Sequence, residues 1–208
     1  MTLTATDLKQ TFDRRVIFQR VSLSLTAPVS LAITGANGSG KSTLLKLLAG
    51  AITASAGTVT YHLDGELIER NRFLRHAGFT APYLNLYGDL TGLENVRFAL
   101  RMKGLAVDDA KLQTLFDDFR LGDAKTQLLK TYSSGMQQRT KVIAALAGNP
   151  KALFLDEPTA MLDAAGTALL WNHIDTLRSK LIIVVATNDD ADLQHVEQTL
   201  RIETYKRI

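Results

Sequence analysis

Residues 35–42 read Gly-Ala-Asn-Gly-Ser-Gly-Lys-Ser, and this stretch decides the fold. It satisfies the phosphate-loop pattern G-x-x-x-x-G-K-[ST], in which glycines allow backbone N–H groups to wrap closely around an anion. The apolar residues 30–34 precede it, and leucines at helical spacing follow it over residues 42–49, with Gly50 as the expected cap. Because a helix presents the positive end of its dipole at its N-terminus, this order of strand, loop and helix predicts a phosphate-binding unit.

The loop carries two side chains with distinct chemistry. Lys41 is expected to reach the β and γ phosphate oxygens of a nucleotide, and the Ser42 hydroxyl is expected to ligate Mg²⁺. The alternative, a glycine turn with a surface lysine, is disfavoured because the strand and the helix lie where a phosphate loop requires them. The residues of this segment that are predicted to contact the nucleotide are Gly35, Asn37, Gly38, Gly40, Lys41, Ser42 and Thr43.

A second motif is the apolar run at residues 153–155, which ends in Asp156 and Glu157. Burying carboxylates beside an apolar run is costly unless a cation is present, and Mg²⁺ would supply that cation. Asp156 is expected to hold the metal through water, and Glu157 to orient and deprotonate an attacking water. For the pair alone, two acids capping the turn before Pro158 would be the simpler interpretation. The phosphate loop in the same chain favours catalysis.

Composition excludes several other classes of protein. The chain of 208 residues has 46% hydrophobic and 22% charged residues, which is typical of a soluble globular domain. It has no cysteine and four histidines, so neither a disulfide framework nor a zinc site is expected. Its longest apolar runs, such as residues 181–186, are far below the ~20 residues that cross a bilayer. With no secretory signal at the N-terminus, a cytoplasmic location is predicted. The net charge of +3 is interpreted as a solvated surface.

The order of the predicted elements indicates an α/β fold. Strands are expected at residues 3–8 and 21–25, and a hairpin at residues 57–68 turns at Asp64 and Gly65, which suggests an antiparallel annex. Residues 92–130 have helical periodicity. The later elements are a helix at 135–147, a strand at 152–155, a helix at 164–178 and a strand at 181–186. Their alternation implies a mostly parallel sheet covered on both faces, with ligands at the carboxyl ends of its strands.

Residues 132–139, Tyr-Ser-Ser-Gly-Met-Gln-Gln-Arg, begin a helix after the helical segment. Ser134 with Gln137 fits a capping box, and such a helix N-terminus is also an anion site. The segment resembles the signature sequence of ABC ATPases, usually leucine-serine-glycine-glycine-glutamine, and lies between the phosphate loop and the acid pair as in that family. Residues 160–163 match its D-loop and residues 184–189 its switch region. The resemblance covers essentially the whole chain.

The resemblance implies an α/β phosphate-loop NTPase of ABC type. Its mostly parallel sheet is flanked by helices, with an antiparallel β annex and a helical subdomain inserted. We expect a single cassette over residues 1–208. The annex and the phosphate-loop part of the core would occupy residues 1–91, the helical subdomain about 92–132, and the rest of the core 133–208.

The family also implies ATP with Mg²⁺ as ligands and a pair of cassettes around them. Each ATP would lie between Lys41 and Ser42 of one cassette and Ser133 and Gly135 of the other, in a homodimer or a heterodimer. Phe12 falls where the family stacks an aromatic ring on adenine. The partner would be a transmembrane permease subunit, which places the chain peripherally at the cytoplasmic face of the membrane, and no nucleic acid is expected.

Three departures from the family pattern predict slow but real hydrolysis. Pro82 stands where the family has a glutamine that touches Mg²⁺ and water, so that contact is lost or passes to a neighbour such as Asn85. Asn188 replaces the switch histidine, and its amide can donate a hydrogen bond to the γ-phosphate but carries no charge. Ser134 and Met136 replace glycine and glutamine in the signature. The predicted catalytic residues are Glu157, Lys41 and Asn188.

Two interpretations compete with a transporter ATPase. A soluble ABC ATPase acting on DNA or ribosomes is disfavoured, since such relatives carry coiled coils, zinc-binding cysteines or two cassettes. An ATP-binding switch with weak hydrolysis is kept open by Pro82 and Asn188. Among transporter ATPases, the chain is similar in its short length to the compact haem-exporter ATPases.

Two further features concern apolar residues. Tyr83, Leu84, Leu86 and Tyr87 form either an exposed groove for a helix of the membrane subunit or ordinary core, and the sequence supports both equally. Trp171 lies at helical spacing with other apolar residues and is predicted to be core.

Overall fold

Two sheets organise the chain, and the computed structural model describes them over residues 1–206. The last two residues of the expected cassette lie outside this range. The strands are β1 (Thr2–Phe12), β2 (Arg15–Thr26), β3 (Val29–Thr34), β4 (Ala56–Leu63), β5 (Glu66–Ile68), β6 (Ala77–Thr80), β7 (Ala152–Asp156), β8 (Ile182–Ala186) and β9 (Gln198–Arg201). The helices are α1 (Lys41–Leu48), α2 (Arg70–His76), α3 (Gly92–Met102), α4 (Asp109–Asp118), α5 (Ser134–Leu146), α6 (Ala164–Leu177) and α7 (Asp190–Leu193).

The larger sheet has five strands in the order β6-β7-β8-β3-β9, and its neighbours pair in parallel. Every residue of β7 and β8 is buried, as expected for strands covered on both faces. Since parallel strands end at the same edge, the loops after β3, β7 and β8 meet there. The predicted fold class is confirmed, and the phosphate loop, the acid pair and the switch region share one edge.

The annex is a four-stranded antiparallel sheet in the order β2-β1-β4-β5. Its first hairpin is longer than predicted and turns at Asp13 and Arg14, which have φ values of 46° and 65°. Two consecutive positive φ angles are typical of tight hairpin turns that favour Asn-Gly or Asp-Gly, so Asp-Arg gave little signal. The second hairpin turns at Asp64 and Gly65, as predicted.

The helices over residues 92–118 share a hydrophobic core with the rest of the chain. Thr91 and Glu94 form a capping box at the start of α3. Val96 of α3 and Phe116 of α4 belong to the same buried cluster as side chains of α5, α6 and β7. The division of the cassette at residues 1–91, 92–132 and 133–208 stays a prediction.

Sequence patterns missed β6 and α2. The strand is Ala-Gly-Phe-Thr, without a run of branched residues, and an added Cβ at Gly78 would lie 2.4 Å from the carbonyl oxygen of Ala145. Glycine is therefore required for α5 to approach the sheet. The helix α2 is short and polar, and only Phe73 of it is buried.

Among residues 1–206, no helix has the length and apolar character needed to span a membrane.

A buried carboxylate, Asp192, joins the loops after β7 and β8 to helix α6. Asp192 is fully buried and accepts hydrogen bonds from Trp171 Nε1 at 3.1 Å, from Thr187 Oγ1 at 2.6 Å and from Thr159 Oγ1 at 3.3 Å. Burial raises its pKa, and the three hydrogen bonds oppose that rise. Trp171, 1% exposed, is core as predicted. The network fixes the loops after β7 and β8 relative to α6.

We expect Asp192→Ala to lower the free energy of unfolding by about 2–4 kcal/mol, because it leaves two buried donors and one half-buried donor without their acceptor. Urea unfolding measures the change. Asp190→Ala is the matched control, since its exposed side chain lies on the same short helix and should change stability by less than about 0.5 kcal/mol. Equal losses in the two variants would contradict the structural role of Asp192.

Candidate active site

The phosphate loop connects β3 to α1 and holds its lysine inward. Gly40 has a φ of 110° and directly precedes α1, a conformation that a side chain would strain. Lys41 is 5% exposed, and its Nζ donates to the carbonyl oxygen of Gly35 at 2.8 Å. The same Nζ lies 3.9 Å from Oε1 of Glu157. The lysine is therefore part of the site and not a surface residue on a glycine turn.

The empty side of the loop fits a polyanion. Ser39 Oγ is buried and has no hydrogen-bond partner. An added Cβ at Gly38 would meet nothing within 4 Å, so open space adjoins the loop there. An unpaired buried hydroxyl beside a helix N-terminus is satisfied when a phosphate group binds.

Ser42 and Asp156 form the second part of the site. Ser42 Oγ donates to Asp156 Oδ1 at 2.9 Å, although the two residues are 114 apart in sequence. Asp156, at the end of β7, is 1% exposed. One hydroxyl and one carboxylate are a donor set that Mg²⁺ accepts when phosphates and water complete its shell. Residues 1–206 hold no group of three or more His, Cys, Asp or Glu side chains that could bind a metal without such help.

The other oxygen of Asp156 accepts a hydrogen bond from a residue that the sequence did not indicate. Tyr83 donates its hydroxyl to Asp156 Oδ2 at 3.0 Å. Asn85, the neighbour expected to compensate for Pro82, instead lines a groove with Leu84 and Leu86. Asn85 therefore makes no contact with Asp156, and the chain turns after Pro82 so that the side chain of another neighbour, Tyr83, faces the carboxylate.

Glu157 occupies a strained position directly after β7. Its φ is 43°, and its N–H donates to the carbonyl oxygen of Ala186 at 2.8 Å. A non-glycine residue in this region costs about 1–3 kcal/mol, and such strain concentrates at functional sites. Burial raises the pKa of the carboxyl, and nearby Lys41 partly opposes the rise. A more basic carboxylate is a better proton acceptor.

Asn188 follows β8 and faces the phosphate loop. Its Nδ2 donates a hydrogen bond to Oδ1 of Asn37. Both residues are exposed, so a ligand on the loop would meet their amides. The structure thus brings the switch position and the loop together, as predicted.

The remaining predicted residues lie apart from this cluster. None of the side-chain hydrogen bonds among residues 1–206 joins Ser133 or Gly135 to the loop, and Phe12, 48% exposed, ends β1. The capping box expected at Ser134 and Gln137 was wrong by one residue. Ser133 is the N-cap of α5, and its side chain accepts from the N–H of Met136 at 3.2 Å.

Glu203 is a further residue that pattern reasoning missed. Its Oε1 accepts a hydrogen bond from the N–H of Ala36 at 2.6 Å, across 167 positions of sequence. A solitary acid in residues 198–206 gives no signal of this contact. The carboxylate supports the loop at its first residues, beside Gly35.

Comparisons with known proteins agree with this geometry. The sequence model of the family described as ABC transporter matches residues 18–160. The chain is 32% identical to the lipoprotein-releasing system ATP-binding protein LolD of Leptospira interrogans, over 90% of this chain and 82% of that protein. It is 29% identical to the lantibiotic transport ATP-binding protein SrtF of Streptococcus pyogenes, over 91% and 81% of the two chains.

Solved structures share the fold. The dimeric post-hydrolysis state of the ATP-binding cassette MJ0796 bound to ADP and Pi superimposes with a TM-score of 0.84, at 24% identity, over 96% of this chain and 94% of that one. A putative ABC transporter ATP-binding protein from Pyrococcus furiosus superimposes equally well, with a TM-score of 0.84, at 18% identity and over the full length of both chains. From these matches, the chain belongs to the ABC transporter family and is one of its ATP-binding subunits.

Proposed function

We propose that residues of this chain bind and hydrolyse MgATP. Two cassettes would close around the nucleotide, and this movement would be transmitted to a transmembrane permease subunit. One observation carries the proposal. Two distant segments meet at the carboxyl edge of the parallel sheet, one with Lys41 and Ser42 and the other with Asp156 and Glu157. Ser42 is hydrogen-bonded to Asp156, and Lys41 lies within ion-pair distance of Glu157. ATP hydrolysis needs a phosphate-binding group, a metal ligand and a base in one place, and the proximity of these four residues supports it.

Each side chain has a role that its present contacts support. Lys41, now bonded to the loop carbonyl of Gly35, would turn its ammonium to the phosphates. Ser42 would hold Mg²⁺ directly and Asp156 through water, and the bound metal would neutralise phosphate charge. Glu157 would accept the proton of the attacking water, aided by its raised pKa. Asn188 would donate an uncharged hydrogen bond, which supports slow turnover.

A second cassette would complete each site. Ser133 and Gly135 stand at the N-terminus of α5, a helix of 13 residues, away from the loop of their own chain. The backbone N–H groups and the dipole of such a terminus favour an anion. Phe12 leaves its ring exposed for a base to stack on. The dimeric state of the MJ0796 cassette supports a pair of cassettes here, either two copies of this chain or this chain with another cassette.

An apolar groove supports docking of the permease. Phe79, Leu84, Leu86, Tyr87, Phe98 and Met102 are among the residues that line a cavity of about 240 Å³. Tyr87 is 57% and Met102 71% exposed, which favours the exposed groove over ordinary core. The rings of Tyr87 and Phe98 pack edge to face with centroids 5.1 Å apart, so the groove is preformed. It fits an amphipathic helix at the cytoplasmic end of the permease, which would hold the chain at that face of the membrane.

The alternatives receive less support. An apolar groove is not the basic surface that binding to DNA or ribosomal RNA requires. The relatives LolD and SrtF are named for lipoprotein release and lantibiotic transport, which favours a transport role here too. The likeness to haem exporters stays a prediction. Comparing the ATP turnover of the unaltered protein with that of Glu157→Gln distinguishes an ATP-binding switch from an ATPase.

Glu157→Gln should lower kcat for ATP hydrolysis at least about 100-fold, because it removes the proton acceptor and keeps the shape of the side chain. Phosphate release measures turnover, and ATP binding by the same variant should be retained. If the unaltered protein hydrolyses ATP no faster than Glu157→Gln, with or without its permease, the chain is an ATP-binding switch and the proposal is wrong.

Phe98→Glu should weaken binding to inside-out membrane vesicles that contain the permease about tenfold or more, because it places a charge in a groove that becomes desolvated on docking. Co-sedimentation over a range of protein concentrations measures the affinity. Leu67→Glu is the control, since Leu67 is 67% exposed on the annex strand β5. Equal affinities of the two variants would argue against docking at the groove.

A further inference from the structure

Tyr83 is held between two elements of the candidate active site. Its hydroxyl donates to Oδ2 of Asp156 at 3.0 Å, at the end of β7. Its ring lies under the ammonium of Lys46, which belongs to α1, with Nζ 4.2 Å from the ring centroid. A cation at this distance from an aromatic face is attracted to it. The side chain, although 46% exposed, is thus anchored at both ends.

The carboxylate of Asp156 consequently has one protein donor on each oxygen. Ser42 Oγ occupies Oδ1 at 2.9 Å, and the Tyr83 hydroxyl occupies Oδ2. Two hydrogen bonds from opposite sides fix the plane of the carboxylate, which is nearly inaccessible to water.

The residue before Tyr83 cannot make such a contact. Pro82 has no side-chain donor or acceptor, and its carbonyl oxygen accepts from Nζ of Lys141 at 2.7 Å, away from Asp156. Of residues 82 and 83, which follow β6, the one whose side chain contacts Asp156 is therefore the tyrosine.

We infer that Tyr83 is a positioning residue of the magnesium site, whose hydroxyl orients Asp156 for the metal in place of a polar side chain at position 82. The inference rests on the proposed metal role of Ser42 and Asp156. It predicts that the hydroxyl matters for the metal and not for the nucleotide, because no phosphate-loop residue contacts Tyr83 among the hydrogen bonds of residues 1–206.

Tyr83→Phe removes the hydroxyl and keeps the ring against Lys46. With EDTA present, its affinity for ADP should stay within about twofold of the unaltered protein, since nucleotide contacts are unchanged. With saturating ADP, its affinity for Mn²⁺, measured by electron paramagnetic resonance, should fall about tenfold, as for other groups that orient metal ligands. Tyr205→Phe, a matched loss of a tyrosine hydroxyl outside the active site and the groove, should leave both affinities unchanged.

Asp156→Asn separates the two levels of the hypothesis. If it loses Mn²⁺ affinity and Tyr83→Phe behaves like Tyr205→Phe, the inference about Tyr83 is wrong and the proposed metal site stands. If Asp156→Asn also keeps full Mn²⁺ affinity, the metal site itself is wrong, and the role of Tyr83 falls with it. A lower ADP affinity of Tyr83→Phe in EDTA would likewise overturn the inference, because the hydroxyl would then act on the nucleotide.

Discussion

The hydrogen bond between Ser42 and Asp156 is the contact on which the rest of the site depends. It joins the first turn of α1 to the end of β7 across the edge of the sheet, and it does so around a buried carboxylate. A buried charge without partners would destabilise the fold by several kcal/mol, so the donors around it are structural as well as functional. The phosphate loop, Glu157 and the proposed metal site are all positioned around this pair.

Each of the two sheets positions different residues around that contact. The parallel sheet delivers its strand ends to one edge, and the buried Asp192 network locks the loops after β7 and β8 against Trp171. The annex holds Phe12 at an exposed end, where a base can reach it. The signature residues Ser133 and Gly135 belong to neither arrangement within one chain. Their separation from the phosphate loop of the same chain is what the proposed pairing of two cassettes would require.

Much of this could be predicted from the sequence, because the decisive features are local. The spacing of the phosphate loop, the apolar run before Asp156 and the periodicity of the helices each lie within a few residues. Tyr83, Asp192 and Glu203 escaped prediction for the opposite reason. Tyr83 and Asp156 are 73 positions apart, and Glu203 and Ala36 are 167 apart, so only the fold brings them together. The tyrosine was also concealed among apolar neighbours whose pattern indicated a groove.

The most direct test of a shared ATP site is the mass of the Glu157→Gln variant in solution, measured by light scattering with MgATP and with MgADP. Slow hydrolysis keeps ATP in place, and the account predicts a particle of twice 22.8 kDa with ATP and of 22.8 kDa with ADP. Gly135→Glu, which would place a negative charge where the second cassette would meet the phosphates, should abolish the larger particle. A variant that binds ATP and nevertheless remains at 22.8 kDa would contradict the account.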